Sequence, residues 1–390
     1  MASYISSNAN RFYTALETAY GNGAAIHSGN RIPALKLTVQ QQIEVTKRKD
    51  KTGSRTFPGL PAGGRRRTNF ELHTYLTSWQ KAGDGPGYGP LFQAALGAVP
   101  LTFSGATVAS SDSSGRLAFG SPHGLAVGQG VSSAGEIRFV GAIVDPNTVQ
   151  LSAPFVVTPG TGAPIGATMT YMPATELPSV SVFDYWSPNT AVQRMLCGAA
   201  VDQMEILVNG DYHEFHFSGV AQDVLDSCSF SAGSAQLQSF PAEPELEAFD
   251  YSIVPGNMGQ AWLGTSPAQF FTITNANVLL KNALDSRTRE FGANLPRAIS
   301  PGERSVTASF DLYGLDDDAT KGLYQSARQQ SPITVMFQLG EVEGQVLGVN
   351  LKSVIPEVPE FDDSQNRLQW RFRASRAQGT IDDEMTVAFA

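Results

Sequence analysis

Apolar and polar residues alternate along much of this chain with the period of a β-strand, and a few short stretches carry a helical period instead. Residues 35–45 place Leu37, Val39, Ile43 and Val45 on one side and Gln40, Gln42 and Glu44 on the other, which predicts a strand with one wet face. Residues 69–76 repeat the pattern, setting Phe70 and Leu72 against Glu71 and His73. Strands are also expected at 203–208 and 212–217, joined across Asn209-Gly210, a strong hairpin signal. Residues 90–96 read as a short helix, opened by Pro90 and closed by Gly97. Two more helical stretches are predicted, at 10–20, where Phe12, Leu16 and Ala19 share a face, and at 191–200. Residues 236–270, with Pro241, Pro244, Pro255 and Pro267, predict a connector that wraps rather than packs.

The stretch 97–176 differs in character: rich in Ser, Gly and Thr, nearly uncharged, with short β runs at 135–140 and 148–155. It predicts a small β module of its own. On either side of it the order of elements repeats. Leu37-Thr38 matches Ile273-Thr274, and Leu60-Pro61 matches Leu295-Pro296. Phe70-Glu71-Leu72 matches Phe310-Asp311-Leu312, and Leu91-Phe92-Gln93-Ala94-Ala95 matches Leu323-Tyr324-Gln325-Ser326-Ala327. Glu214-Phe215-His216-Phe217 matches Gln369-Trp370-Arg371-Phe372. Collinear order, helix included, favours duplication over chance likeness by about three to one. The expected fold is mainly β: two tandem β-sandwich domains, each with a short flanking helix, plus a small inserted β module. The segments are an arm (1–34), a first domain (35–96 with 177–235), the insert (97–176), a connector (236–270) and a second domain (271–390). By alternation Asp311 falls on the wet face, opposite Phe310 and Leu312.

Composition narrows the class. The 390 residues are 42% hydrophobic and only 16% charged, with 38 glycines and 23 prolines, a surface of Ser, Thr, Asn and Gln suited to a turn-rich β protein. No apolar run approaches the roughly 18 residues that cross a bilayer. Residues 1–25 lack the charged-then-apolar order of a signal peptide, so a cytosolic site of synthesis is expected. Two cysteines, Cys197 and Cys228, cannot build a disulfide framework. The net charge of −9 hides a gradient: residues 1–95 hold 12 basic and 5 acidic groups, 96–270 hold 3 and 15, and 271–390 hold 12 and 16. The positive excess sits at Lys47, Arg48, Lys49, Lys51, Arg65, Arg66 and Arg67, at the ends of a Gly/Pro-rich loop. Such a loop invites an acidic partner. Phe57 is its one aromatic, which leaves no stacking platform for single strands, and the acidic remainder repels duplex DNA. A second copy of the chain is the better partner.

Candidate chemistry is sparse. His213 and His216 lie three apart on a strand, so they point to opposite faces and cannot share an ion. The glycines at 83–89 do not fit a dinucleotide loop, and Pro86 and Pro90 remove amides that phosphate would need. There is no nucleophile elbow and no phosphate-binding loop. The acidic runs 316–318, 362–363 and 382–384 lack the calcium-loop spacing. No enzymatic activity, cofactor or metal is therefore expected.

A strand, the long basic loop, a return strand reading Phe70-Glu-Leu-His-Thr-Tyr-Leu-Thr-Ser-Trp79, a short helix and an acidic-then-apolar close, Asp382-Asp383-Glu384-Met-Thr-Val-Ala-Phe389, together resemble the major tail tube proteins of long-tailed bacteriophages. Pro122-His-Gly-Leu-Ala-Val-Gly128 in the insert resembles small β modules appended to other phage tail proteins. The resemblance implies a structural virion protein whose domains close six to a ring, so that two domains per chain give a homotrimeric, pseudo-hexameric ring. Such rings stack into the conduit for DNA ejection. Implied partners are further copies, the tail tip and tail terminator proteins, and the tape measure protein during assembly, with genome DNA passing without specific binding and no membrane involved. The implied location is the virion tail, with assembly in the host cytoplasm. In that setting the seven basic residues are expected to touch the adjacent ring and the insert to face outward. Gln40, Gln42, Glu44, Glu71, His73 and Asp311 are expected to line a polar, net negative lumen. The alternative class is a non-viral multidomain β protein that binds surfaces in the manner of an adhesin.

Overall fold

A computed structural model describes residues 4–44, 51, 53–55, 64–78, 85–246, 251–286 and 290–390. Its fold is mainly β, with two α-helices among the described residues. The first half contributes β1 (Asn10–Leu16), β2 (Ala34–Glu44), β3 (Arg65–Tyr75), α1 (Gly89–Leu96), β4 (Leu101–Phe103), β5 (Thr168–Tyr171), β6 (Val180–Trp186), β7 (Arg194–Val208) and β8 (Glu214–Ala221). The second contributes β9 (Gly259–Gly264), β10 (Ile273–Lys281), β11 (Ser305–Tyr313), α2 (Asp318–Gln329), β12 (Ile333–Leu339), β13 (Leu347–Ile355), β14 (Glu360–Asp362), β15 (Gln369–Gln378) and β16 (Thr386–Phe389).

The pairings repeat. In the first half the antiparallel order is β1-β6-β7-β8-β3-β2. In the second it is β9-β12-β13-β15-β11-β10, with β14 continuing the line of β13 along β15. Each helix precedes the strand that returns beside the first one. A β-bulge fixes the correspondence between copies. The β2–β3 ladder slips between Ala34 and Lys36, and the β10–β11 ladder slips between Ile273 and Asn275. Lys36 therefore corresponds to Asn275 and Leu37 to Ala276, which displaces the expected match of Leu37 with Ile273 by three residues; because the bulge lies between them, Ile273 and Ala276 both keep the core side, opposite Leu312 and Phe310. Through β8 and β15 in turn, Leu72 corresponds to Phe310 and His73 to Asp311.

The copies are joined edge to edge. β7 pairs with β10 from Gln203↔Lys281 to Val208↔Ala276, so β2-β3-β8-β7-β10-β11-β15-β14 forms one run of eight strands. One face of this run packs a contiguous core that includes Leu72, Ile206, Phe215, Val278, Phe310 and Phe372, drawn from both halves. α1 is apolar on nearly every side and lies inside that core, with Leu91, Phe92, Ala94, Ala95 and Leu96 buried. α2 is amphipathic: the Asp317 carboxylate caps it by accepting from the Thr320 N–H at 2.6 Å, and Leu323 and Ala327 face inward.

Three expectations are corrected here. Residues 10–16 form strand β1, not a helix: Phe12 enters the main core while Tyr13 enters a second cluster with Phe183 and Tyr185. Residues 194–208 are β7, also buried on both faces, with Leu196 on one side and Met195 and Cys197 on the other. A continuous apolar run does not distinguish a two-sided strand from a buried helix, and the β-ladder partner decides. The expected connector packs as well. β9 lies within it, pairs with β12 and buries Trp262.

The insert is bolted down at both ends. β4 pairs with β5, β5 with β16 and β16 with β13, so the strands flanking the insert extend the second half's sheet. Between them a six-stranded sheet encloses its own core around Val108, Phe119, Val131 and Val149. Ile137 and Phe139 of the insert pack with Trp262, Met336 and Val346 of the second half. Arg138, fully buried, donates to Glu136 at 2.6 Å, to Gln260 at 2.9 Å and to Gln338 at 3.1 Å, and lies over the Trp262 ring. Burial pushes its pKa down to about 10, with Glu136 opposing that fall.

Candidate functional site

The surface that the fold presents most distinctly is the outer face of the eight-strand run, together with its two ends. Strand alternation turns Phe70, Leu72, Phe215, Phe217, Met204 and Ile206 inward, so their neighbours must face away from the core. Gln40, Gln42, Glu44 and Glu71 are exposed there, and His73 is half-buried. Ile43, expected in the core, is instead 56% exposed, because β2 projects beyond the body of the sandwich.

His73 is directly opposite His216, and their rings stack at 3.8 Å. The His73 Nε2 is 2.8 Å from Glu71, whose pKa this hydrogen bond draws below the usual carboxylate value. The two ring nitrogens of His216 face Glu214 at 3.1 Å and Glu205 at 3.4 Å. Glu205 in turn accepts from the Asn277 side chain across the joint between copies. A continuous polar network thus crosses three strands of the first half and reaches β10 of the second.

On the second half the same positions carry different chemistry. Asp311, the counterpart of His73, is only 8% exposed and is covered by Arg373, with 3.4 Å between them. The expectation of a solvent-facing Asp311 is thereby corrected, because Arg373 of β15 lies against its carboxylate, with Arg371 opposite it in the ladder. Arg371 also pairs with Asp362 on β14, and Arg376 pairs with Glu303 at 3.0 Å. The face expected to be net negative therefore carries both signs, with Lys36, Arg67, Lys281, Arg371 and Arg373 interspersed among the acids. The alternating Arg371-Phe372-Arg373 was the available sequence signal, since Phe372 in the core forces both arginines outward.

The basic cluster is divided by the structure. Lys47, Arg48 and Lys49 lie outside the described residues, and Lys51 is exposed. Arg65 and Arg67 lie on the outer face, whereas Arg66 turns the other way, 3.4 Å from Asp223, and its backbone N–H donates to Asn294 of the second half. Arg66 is thus occupied within the chain. His213, one residue ahead of β8 rather than on it, is buried and 2.9 Å from the Met258 carbonyl, and burial lowers its pKa. Among the described residues no group of three or more His, Cys, Asp or Glu side chains is placed to hold a metal ion.

The run ends in two strands whose outer edges have no partner among the described residues. β2 pairs only with β3, and β14 pairs only with β15. At the β14 edge Phe361 stacks on Trp370 at 5.2 Å yet remains 55% exposed.

No family model matches this chain, and no curated protein does. Among solved structures it is similar to the tail tube of SPP1, determined by solid-state NMR and cryo EM, at 15% identity and a TM-score of 0.27. The likeness covers 33% of this chain and 81% of that one. Similarity at this level fixes neither the fold nor a function.

Proposed function

We propose that this chain is a structural protein that assembles with copies of itself into stacked rings, the tail tube of a long-tailed bacteriophage. The observation that carries the reading is the joined eight-strand run: one edge-to-edge joint is already made inside the chain, and among the described residues an unpaired edge is left at each end. Exposed edges of this kind are a liability that closure removes. A joint between unlike edges is heterologous, so repeating it closes a ring when the rotation allows. With two sandwich domains per chain, three chains make a ring of six. The polar outer face then lines the bore. Its mixed charge offers DNA no continuous basic track, so the genome passes without the salt-dependent adhesion that a uniformly arginine-lined wall would impose. The insert faces outward, and the protein has no catalytic role. Tail tip, terminator and tape measure proteins are its partners in the virion.

The test is negative-stain imaging and native mass spectrometry of the purified protein. Three-chain rings or tubes are expected, and a persistently monomeric protein would overturn the reading. Six chains per ring would remove the duplication argument. The ring-to-ring contact is probed by Lys47, Arg48 and Lys49 changed together to glutamate, which spares Arg66 and its ion pair. Single rings without tubes are the expected product.

A further inference from the structure

The chain carries a template for the contact between its own copies. β14 stands in the second half where the Glu205–Leu207 part of β7 stands in the first: Leu207 is opposite Glu214 as Asp362 is opposite Gln369, and Ile206 is opposite Phe215 as Phe361 is opposite Trp370. β2 stands in the first half where β10 stands in the second, fixed by the shared bulge. The internal joint pairs Glu205 with Leu279, Ile206 with Val278 and Leu207 with Asn277. Carried through the correspondence, Leu279, Val278 and Asn277 become Gln40, Val39 and Thr38.

We infer that β14 of one copy pairs antiparallel with β2 of a second copy in a single register, Glu360↔Gln40, Phe361↔Val39 and Asp362↔Thr38. This rests on the self-assembly reading above and specifies its interface. Burial supports the register independently. Ile206 and Val278 are fully buried at the joint that exists, whereas Phe361 is 55% exposed and Val39 half-buried at the edges that await a partner. The pairing sets Phe361 on Val39 over the core side and leaves Glu360, Asp362, Thr38 and Gln40 on the polar face, in phase with the alternation on both strands. A shift of one residue would turn Phe361 against a polar neighbour. A shift of two would keep the face but oppose Phe361 to Leu37 or to Gln41, whose amide is already held by Asp223 at 2.6 Å. Lys36 lies diagonal to Asp362 in the inferred pairing, which places opposite charges within reach on the outer face.

Cysteine pairs read the register directly. In a Cys228→Ser background, which leaves only the buried Cys197, the double variant Glu360→Cys with Gln40→Cys is oxidised and run without reductant. Directly opposed Cβ atoms fall within disulfide reach while diagonal ones do not, so roughly tenfold more covalent dimer and trimer is expected than from Glu360→Cys with Gln42→Cys. Stronger linking of the Gln42 pair would overturn the register. Oligomers seen by mass photometry with neither pair linked would overturn the junction and leave self-assembly standing. Monomers throughout would overturn both. Phe361→Asp serves as a second probe: unchanged circular dichroism with loss of oligomers is expected, and intact oligomers would refute the interface.

Discussion

The two halves of this chain share one strand scheme and one core, yet their outer faces hold different chemistry. Where the first half stacks His73 on His216 among Glu71, Glu205 and Glu214, the second covers Asp311 with Arg373 and pairs Arg371 with Asp362. Inward, the copies resemble each other: Leu72 corresponds to Phe310 and Phe217 to Phe372, all buried. The comparison separates two demands on a strand. The inward residues must fill a common volume and so specify the scaffold, whereas the outward ones are constrained only to be polar and mutually compatible.

The comparison breaks most sharply in the core. Phe310→Ala, which removes a ring stacked on Phe372 at 4.7 Å, should cost about 3–5 kcal/mol, and its counterpart Leu72→Ala about 2–5 kcal/mol. Because the two side chains belong to one contiguous core, both should lower the midpoint of the same cooperative urea transition. A biphasic curve in either variant would mean that the halves are stable separately.

The outer faces should respond unequally. Asp311→Ala leaves Arg373 without the carboxylate it covers and should destabilise by about 1–3 kcal/mol. His73→Ala removes a half-exposed ring whose neighbours keep access to water, with an expected loss under about 1 kcal/mol. Equal losses by chemical denaturation would show that the faces are energetically alike despite their chemistry.

A smaller contrast lies in pH. Burial lowers the pKa of His213 from its ordinary 6.5, so the folded state binds fewer protons than the unfolded one below that value. Its contribution is complete above about pH 6.5 and is lost as pH falls through the lowered folded value. The slope is at most one proton, about 1.4 kcal/mol per pH unit. The counterpart in the second half, Leu368, is exposed and cannot titrate. His213→Gln should therefore flatten stability between pH 6.5 and its lower limit, and an unchanged slope would assign that dependence elsewhere.

Alternation alone placed β2, β3, β8 and α1, assigned Gln40, Gln42, Glu44 and Glu71 to the outer face, and exposed the repeat. Each is a local pattern: period 2 for a strand with one wet face, a proline-to-glycine span for a short helix. Tertiary structure decided the rest. β1 and β7 are buried on both faces, so their sequences carry no wet side to betray a strand, and only the ladders with β6 and β8 select that conformation. Asp311 has the alternation of an exposed residue and is buried because a strand about sixty residues away in sequence lies beside it and lays Arg373 against it, a burial no local period encodes. The bulge was likewise hidden: Leu37 and Ile273 pack against the same core although they sit three positions apart in the correspondence, because each ladder carries one extra residue, and only hydrogen-bonded neighbours reveal where the count changes.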